Sequence, residues 1–290
     1  MNNPTSTNTP HFLVLDGYSK AGRADLAAGG ATTAGELYRK MLLHCCPGCV
    51  VDVLCPADAD ARLPTGAAIG QYQGIAWTGS SLTVYDDTDE VRQQIEFAQE
   101  VFAAKVPSFG SCWATQIAVV AAGGRCQAHP RGREMGIARK ITLTPEGMAH
   151  PMYRGKKKVF DAFISHDDEV THMPSGGLVL AGNDFTRVQA IAVTWQGGMF
   201  WSPQYHPEYD LHELARLCFC RKQKLTDKGF FNSLEDAQHY VDLLEALHTD
   251  PSRKDIAWLL GIDDDVMNPD IRQAEVRNWI ELLVLPSMKL

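Results

Sequence analysis

The chain has 290 residues, 45% hydrophobic and 21% charged, with 27 Lys and Arg against 35 Asp and Glu for a formal net charge of −8, enough apolar content for a sizeable folded core. The charge is spread along the chain and the only short basic run is Lys156-Lys157-Lys158 beside Arg154, which disfavours a nucleic-acid partner and reads as a solvated turn before a strand. No stretch approaches the ~18 uninterrupted apolar residues of a membrane span, and residues 1–10 lack the basic start and apolar stretch of a signal peptide, so the expectation is a cytoplasmic protein with no membrane contact and a disordered tail over 1–10.

In chain order, apolar β-rich runs at 12–15, 50–54, 75–78 and 106–109 alternate with helical spacing at 33–45 and 91–104. That order predicts an α/β fold with a doubly wound, mostly parallel sheet, whose ligand sites lie beyond the carboxyl ends of the strands. Eight cysteines without an export signal argue against a disulfide framework. Cys45, Cys46, Cys49 and Cys55 crowd one segment, but Cys45 and Cys46 are adjacent and no further CxxC pair or HxxxH accompanies them, so no metal is expected.

Shorter strand candidates follow at 137–143, 159–164, 178–181, 188–193 and 199–201, divided by Gly, Pro and Asn turns, and read as strands added to the same domain, residues 11–210. From residue 211 the pattern turns helical. Leu234, Ala237, Val241, Leu244 and Leu247 share one stripe, as do Val276, Trp279, Ile280 and Leu283. Cys218 and Cys220 fall in this stretch as small buried or half-buried thiols. Asp250-Pro251 and Asn268-Pro269 read as helix starts and Gly261 as a helix end. Asp263-Asp264-Asp265 lacks the alternating ligands of a calcium loop and reads as a solvated turn. Residues 211–290 are thus predicted to form a folded C-terminal helical extension.

The chemistry centres on Val106-Pro107-Ser108-Phe109-Gly110-Ser111-Cys112-Trp113-Ala114-Thr115-Gln116, which runs from a strand through a turn into an apolar helix. Such a strand-to-helix elbow exposes a nucleophile on tight backbone, with small neighbours at Gly110 and Ala114, and the helix N-terminus favours the thiolate of Cys112. Buried cysteines at strand ends are common, so the elbow needs a base. His206-Pro207-Glu208 places an imidazole and a carboxylate two residues apart after a strand-like run, a spacing that lets the carboxylate fix the ring while its other nitrogen faces the thiol.

Together the elbow and His206-Pro207-Glu208 resemble the class I glutamine amidotransferases, whose elbow reads G-x-C-x-G-x-Q. Trp77-Thr78-Gly79-Ser80-Ser81-Leu82-Thr83-Val84-Tyr85-Asp86 resembles the glycine loop of GMP synthetase-type glutaminase domains. Ser165-His166-Asp167-Asp168-Glu169-Val170 resembles their S-H-x-D-x-V segment. The resemblance covers residues 12–209. It implies a flavodoxin-like fold with no cofactor, in which Cys112 is the nucleophile, His206 the general acid/base and Glu208 its orienter. The backbone amides of Gly79 and Trp113 would form the oxyanion hole, and Gln116, Ser165, His166 and Asp168 would seat the glutamyl group. The implied reaction is thioester formation on Cys112 and release of ammonia or an amine from glutamine or a γ-glutamyl amide.

Ala114 departs from the family glycine, and if residue 114 needed a positive φ the methyl would strain the elbow and retune specificity. Trp113 and Trp201 are candidates for an apolar wall around a leaving amine larger than ammonia, with core packing as the competing role. Asp168 fits recognition of an α-amino group or, equally, a turn cap. No G-x-x-x-x-G-K-[ST] loop appears. Three readings therefore stand: a free-standing γ-glutamyl amide hydrolase, a glutaminase subunit delivering ammonia to a separate synthetase, and a catalytically silent partner-binding subunit. The helices after residue 211 are available for a homodimer or a synthetase contact.

Overall fold

The computed structural model describes residues 9–64 and 66–288, so the tail expected at 1–10 lies outside the described residues except for its last two. Strand β1 (His11–Leu15) is followed by helices α1 (Lys20–Ala28) and α2 (Ala34–Cys45), then β2 (Val50–Leu54), β3 (Gly74–Trp77), α3 (Asp89–Ala104), β4 (Ser108–Gly110) and α4 (Trp113–Ala121). All four strands pair in parallel, β2 and β3 on either side of β1 and β4 beside β3. The short apolar runs of β1 and β3 are buried on both faces because helices cover both, the environment that dispenses with alternation. Helix α1 escapes sequence prediction because Leu26 is its only buried residue; the Ser19 hydroxyl, accepting from the Gly22 amide, starts it.

Next come β5 (Arg125–Ala128), β6 (Glu134–Leu143), α5 (Pro145–Ala149), β7 (Val159–His166), β8 (Asp168–His172), β9 (Gly177–Gly182), β10 (Ala190–Trp195) and β11 (Gly198–Pro203). β11 returns parallel to β4 and carries β10, β9, β6 and β7 as an antiparallel extension, giving a nine-stranded sheet in the order β2-β1-β3-β4-β11-β10-β9-β6-β7. β5 and β8 form a separate antiparallel pair. Both are too short and too polar to show a period.

Two apolar clusters fill the two faces. One joins Phe12, Val14 and Phe109 to Tyr38, Met41 and Leu42 of α2, and the other joins Leu13, Leu15 and Ile75 to Val91, Val101 and Phe102 of α3 and Ile117 of α4. The C-terminal helices begin with α6 (Leu211–Cys220), α7 (Lys222–Asp227), α8 (Leu234–Thr249) and α9 (Lys254–Leu260), followed by α10 (Asp264–Met267), α11 (Pro269–Arg272) and α12 (Ala274–Trp279). Leu214, Leu217, Val241, Leu244 and Leu247 bury a third cluster around Phe163 of β7. Leu234, at the start of the predicted stripe, is 39% exposed. Trp279 of α12 is fully buried in the first cluster, tilted against Phe12 and Phe109 at 5.6 and 5.7 Å between ring centres.

Several expectations for this half need correction. Asp250-Pro251 does not start a helix: Asp250 ends α8, its carboxylate accepts from the Ser252 amide and hydroxyl in a tight turn, and α9 begins at Lys254. Asn268 does cap α11, accepting from the Asp270 amide, and Gly261 closes α9 in the left-handed conformation. The basic run is a solvated turn only in part: Lys157 and Lys158 are exposed, but the Lys156 ammonium is buried against the fully buried Glu275 carboxylate at 2.8 Å. Nor is the acidic run merely solvated: Asp263 caps α10, and the buried Asp265 carboxylate accepts from Lys157 at 2.7 Å. The two runs clamp α10–α12 to the start of β7.

Cys46 and Cys49 bracket Pro47-Gly48 in a tight turn, with the Cys49 amide donating to the Cys46 carbonyl at 3.1 Å and Gly48 at φ +85. Burial pushes the Cys49 thiol up to about 11. Cys218 is buried, with burial pushing its thiol up to about 12, whereas Cys220 is exposed. Among the described residues, no group of three or more His, Cys, Asp or Glu side chains could hold a metal ion, and no helix is long and apolar enough to cross a membrane.

Candidate active site

The carboxyl ends of β1, β3, β4 and β11 converge on one polar cleft of about 190 Å³ lined by Cys112, Trp113, Gln116, Ser165, His166, Asp168 and His206, with Gly79 and Glu208 behind its wall. Cys112 follows β4 at the first turn of α4 with φ 53 and ψ −100, a region a side chain adopts only when the surroundings impose it. They do so through the Cys112 amide, which donates to Pro203 at the end of β11, and through the Ser111 amide, which donates to the Trp77 carbonyl of β3. The strain therefore sits at residue 112 and not at 114. Ala114 is a helical residue, and its methyl packs against Gly110, where a built Cβ would lie 2.2 Å from it and 2.5 Å from the Trp77 carbonyl oxygen. Only glycine fits at 110.

The His206 Nδ1 lies 2.7 Å from the Glu208 carboxylate, and its Nε2 is buried with no hydrogen-bond partner among the described residues. Gly79 brings the groups together: a Cβ there would be 3.1 Å from the His206 ring and 3.8 Å from the Cys112 Cβ. The Cys112 sulfur sits 3.6 Å from the Ser165 carbonyl oxygen. His206 stacks on Tyr209 with ring centres 4.0 Å apart and planes nearly parallel, and its amide donates to the Phe163 carbonyl, so ring and backbone are both fixed.

Burial opposes the imidazolium, yet the Glu208 carboxylate and the Cys112 thiolate outweigh it and push His206 up to about 10 from its ordinary 6.5. A raised value means that the stabilisation this charge brings is fully present below pH ~6.5 and is lost as pH rises toward ~10. Turnover should accordingly hold through neutrality and fall only on the far alkaline side. In Cys112→Ala the ring, followed by NMR, should titrate at lower pH because the interaction with the sulfur that raises it has gone. An alkaline limb near 6.5, or an unmoved His206 titration in that variant, would contradict this coupling.

Sequence reading missed the support for Glu208. The Ser111 hydroxyl donates to Glu208 at 3.0 Å and itself accepts from the Tyr38 hydroxyl of α2 at 2.7 Å, so a buried chain Tyr38–Ser111–Glu208–His206 holds the carboxylate. Tyr38 carries no local signal, because it reads as one more apolar position on α2. The loop before Gly79 is pinned by Thr78, whose hydroxyl accepts from the Gly17 amide and donates to the Gly79 carbonyl. The Trp113 amide belongs to the first turn of α4, whose N–H groups have no intrahelical acceptor.

Trp113 lines the cleft, but its indole is turned into the core. It is buried among α3 and α4, donating to Gln94 at 2.9 Å. Trp201 lies in the cluster on the opposite face of the sheet against His150, so the core-packing role applies to both rings. Gln116 is 3% exposed, lines the cleft, and its side-chain oxygen has no partner among the described residues.

On the opposite wall, the Ser165 hydroxyl accepts from Arg133 and Arg221, both at 2.9 Å. His166 has both ring nitrogens engaged, by the Asp168 carbonyl and the Glu134 carboxylate, and so is a strut within this wall. Asp168 accepts from the Tyr85 hydroxyl at 2.8 Å, and burial pushes its carboxyl above the usual range against that hydrogen bond. Arg221 has no sequence signal, because nothing in α6 marks its end as facing the cleft.

Residues 56–220 match the model of the glutamine amidotransferase class-I family. The γ-glutamyl-L-1-hydroxyisopropylamide hydrolase of a Pseudomonas species is 31% identical over 96% of this chain and 94% of its own length. The GMP synthase of Azoarcus sp. (strain BH72) is 30% identical over 47% of this chain, a stretch amounting to 25% of that synthase. Among solved structures, a glutamine amidotransferase from Thermotoga maritima superposes with a TM-score of 0.67 over 95% of this chain and 98% of its own, at 13% identity, a likeness of fold alone.

Proposed function

The chain belongs to the class I glutamine amidotransferase family, and from that membership we propose that it hydrolyses the amide bond of a γ-glutamyl amide as a free-standing enzyme, through a thioester on Cys112. The observation that carries this is the strained Cys112 elbow set against the His206–Glu208 pair at the carboxyl ends of the parallel strands. A buried imidazole held by a carboxylate beside a cysteine supplies both the nucleophile and the acid the reaction needs.

In this reading Cys112 attacks the γ-carbonyl carbon, and the oxyanion is received by the backbone amides of Gly79 and Trp113 at the helix N-terminus. His206 protonates the departing amine as the Cys112 thioester forms. It then takes a proton from water as that water attacks the thioester, releasing glutamate and restoring the thiol. Glu208 keeps the ring in place through its contact with Nδ1. Gln116 offers its unpartnered oxygen to the substrate, and Asp168 receives the α-ammonium.

Free-standing hydrolysis is favoured over ammonia delivery by where the similarities fall. The likeness to the hydrolase runs through nearly the whole chain, helices after residue 211 included, while the likeness to the synthase spans about half of it. A glutaminase subunit working with a separate synthetase remains the second reading, supported by that partial match. The purified chain alone, given glutamine and a panel of γ-glutamyl alkylamides and followed by mass spectrometry, should form a thioester and release the alkylamine with a higher kcat/KM than it releases ammonia. Slow turnover of glutamine alone, accelerated by an added synthetase, would favour the second reading instead.

A further inference from the structure

Besides Cys112, His166 and His206, the cleft is lined by five charged side chains, Arg133, Asp167, Asp168, Arg221 and Lys224. Arg133 and Asp167 are paired with each other, and Asp167 also accepts from Lys228. Lys224 is exposed. That leaves Arg221 and Asp168, partly buried and buried, with no opposite side-chain charge within 4.0 Å among the described residues. Arg221 stands at the junction of α6 and α7 beside Tyr18 and Tyr209. One of its N–H groups reaches Ser165, the residue whose carbonyl faces the Cys112 sulfur, and Asp168 lies three residues further along that segment. A guanidinium has five N–H donors in a planar fork, so the bond to Ser165 aims the group and leaves donors for a ligand.

One wall thus presents an unpaired cation and an unpaired anion. The α-carbon of a free γ-glutamyl group presents the complementary pair, a carboxylate and an ammonium on one atom, whereas an alkylamine leaving group need carry no anion. We propose that Arg221 binds the substrate α-carboxylate, so that the helical tail contributes a specificity-determining residue and the enzyme accepts only γ-glutamyl groups whose α-carboxylate is free. This rests on the γ-glutamyl amide hydrolase reading. Arg221 lies one residue past the stretch matched by the family model.

The test compares L-γ-glutamyl isopropylamide with its α-methyl ester on the full chain, the Arg221→Met variant and the Arg221→Lys variant. Wild type should disfavour the ester by roughly 100-fold in kcat/KM, mostly through KM, the scale of losing one charge-assisted contact. Arg221→Met should fall by a similar factor on the free acid and change little on the ester, and Arg221→Lys should recover part of the loss. Equal slowing of both substrates in Arg221→Met, as a merely structural role would give, or a wild type indifferent to esterification, would overturn the inference. Should Arg221→Met not fold, the acid-to-ester ratio of wild type against that of Arg221→Lys decides the same question. A thioester on wild-type Cys112 without discrimination leaves the hydrolase reading standing and removes only this inference. No thioester and no amine from either substrate removes both.

Discussion

Replacing Cys112 by alanine is expected to lower amine release from a γ-glutamyl amide by about 10⁴-fold or more, because loss of a covalent nucleophile leaves only binding and the oxyanion donors. The protein should remain folded. Cys112 is 5% exposed but small, and its unusual backbone is held by amide contacts to Pro203 and Trp77 that do not involve the sulfur. Single-turnover mass spectrometry should show a glutamyl adduct on wild type and none on the variant, with the thermal midpoint little changed. Turnover within tenfold of wild type would mean that the thiol is not the nucleophile, and the elbow would need another explanation.

The largest effect on stability is expected at Lys156. Its ammonium lies 2.8 Å from Glu275, with side-chain exposures of 3% and 0%, and the Glu275 carboxylate also accepts from the Tyr205 hydroxyl. Removing one partner strands a buried charge, which costs about 3–5 kcal/mol. Lys156→Met should therefore lower the unfolding free energy, read from urea titrations, by that much. Lys156→Met combined with Glu275→Leu should recover at least half of the loss, because the carboxylate is then gone as well. A single variant within about 1 kcal/mol of wild type would show that the pair is not buried as described. Tyr205 precedes His206, so the same measurement reports on how firmly the tail is tied to the site.

The parallel half of the fold was legible because local chemistry dictates it: runs of apolar, β-branched residues mark the covered strands β1 and β3 and the more exposed edge strand β2, and an i, i+3, i+4 stripe marks α2, α3 and α8. Where a segment buries little, as α1 does with Leu26 alone, or is short and polar, as β5 and β8 are, no period exists to be read. The basic and acidic runs at Lys156 and Asp263 were misread for a related reason. Charge alone predicts exposure, and only the meeting of two distant segments buries Lys156 against Glu275 and Asp265 against Lys157.

By itself the sequence determined the elements of the site, since Gly110 to Gln116 and His206 to Glu208 are contiguous motifs whose spacing is set by covalent geometry. It also determined the order of strands and helices that delivers those motifs to the carboxyl ends of β4 and β11. Only the tertiary structure decided that the strain rests on Cys112 rather than Ala114, and that Tyr38 and Ser111 hold Glu208. Only it placed Trp113 and Trp201 in the core on opposite faces of the sheet, and brought Arg221 from the tail to the wall opposite the thiol. Each of these depends on contacts between residues far apart in the chain, where partner, distance and burial follow from packing and leave no pattern in either segment alone.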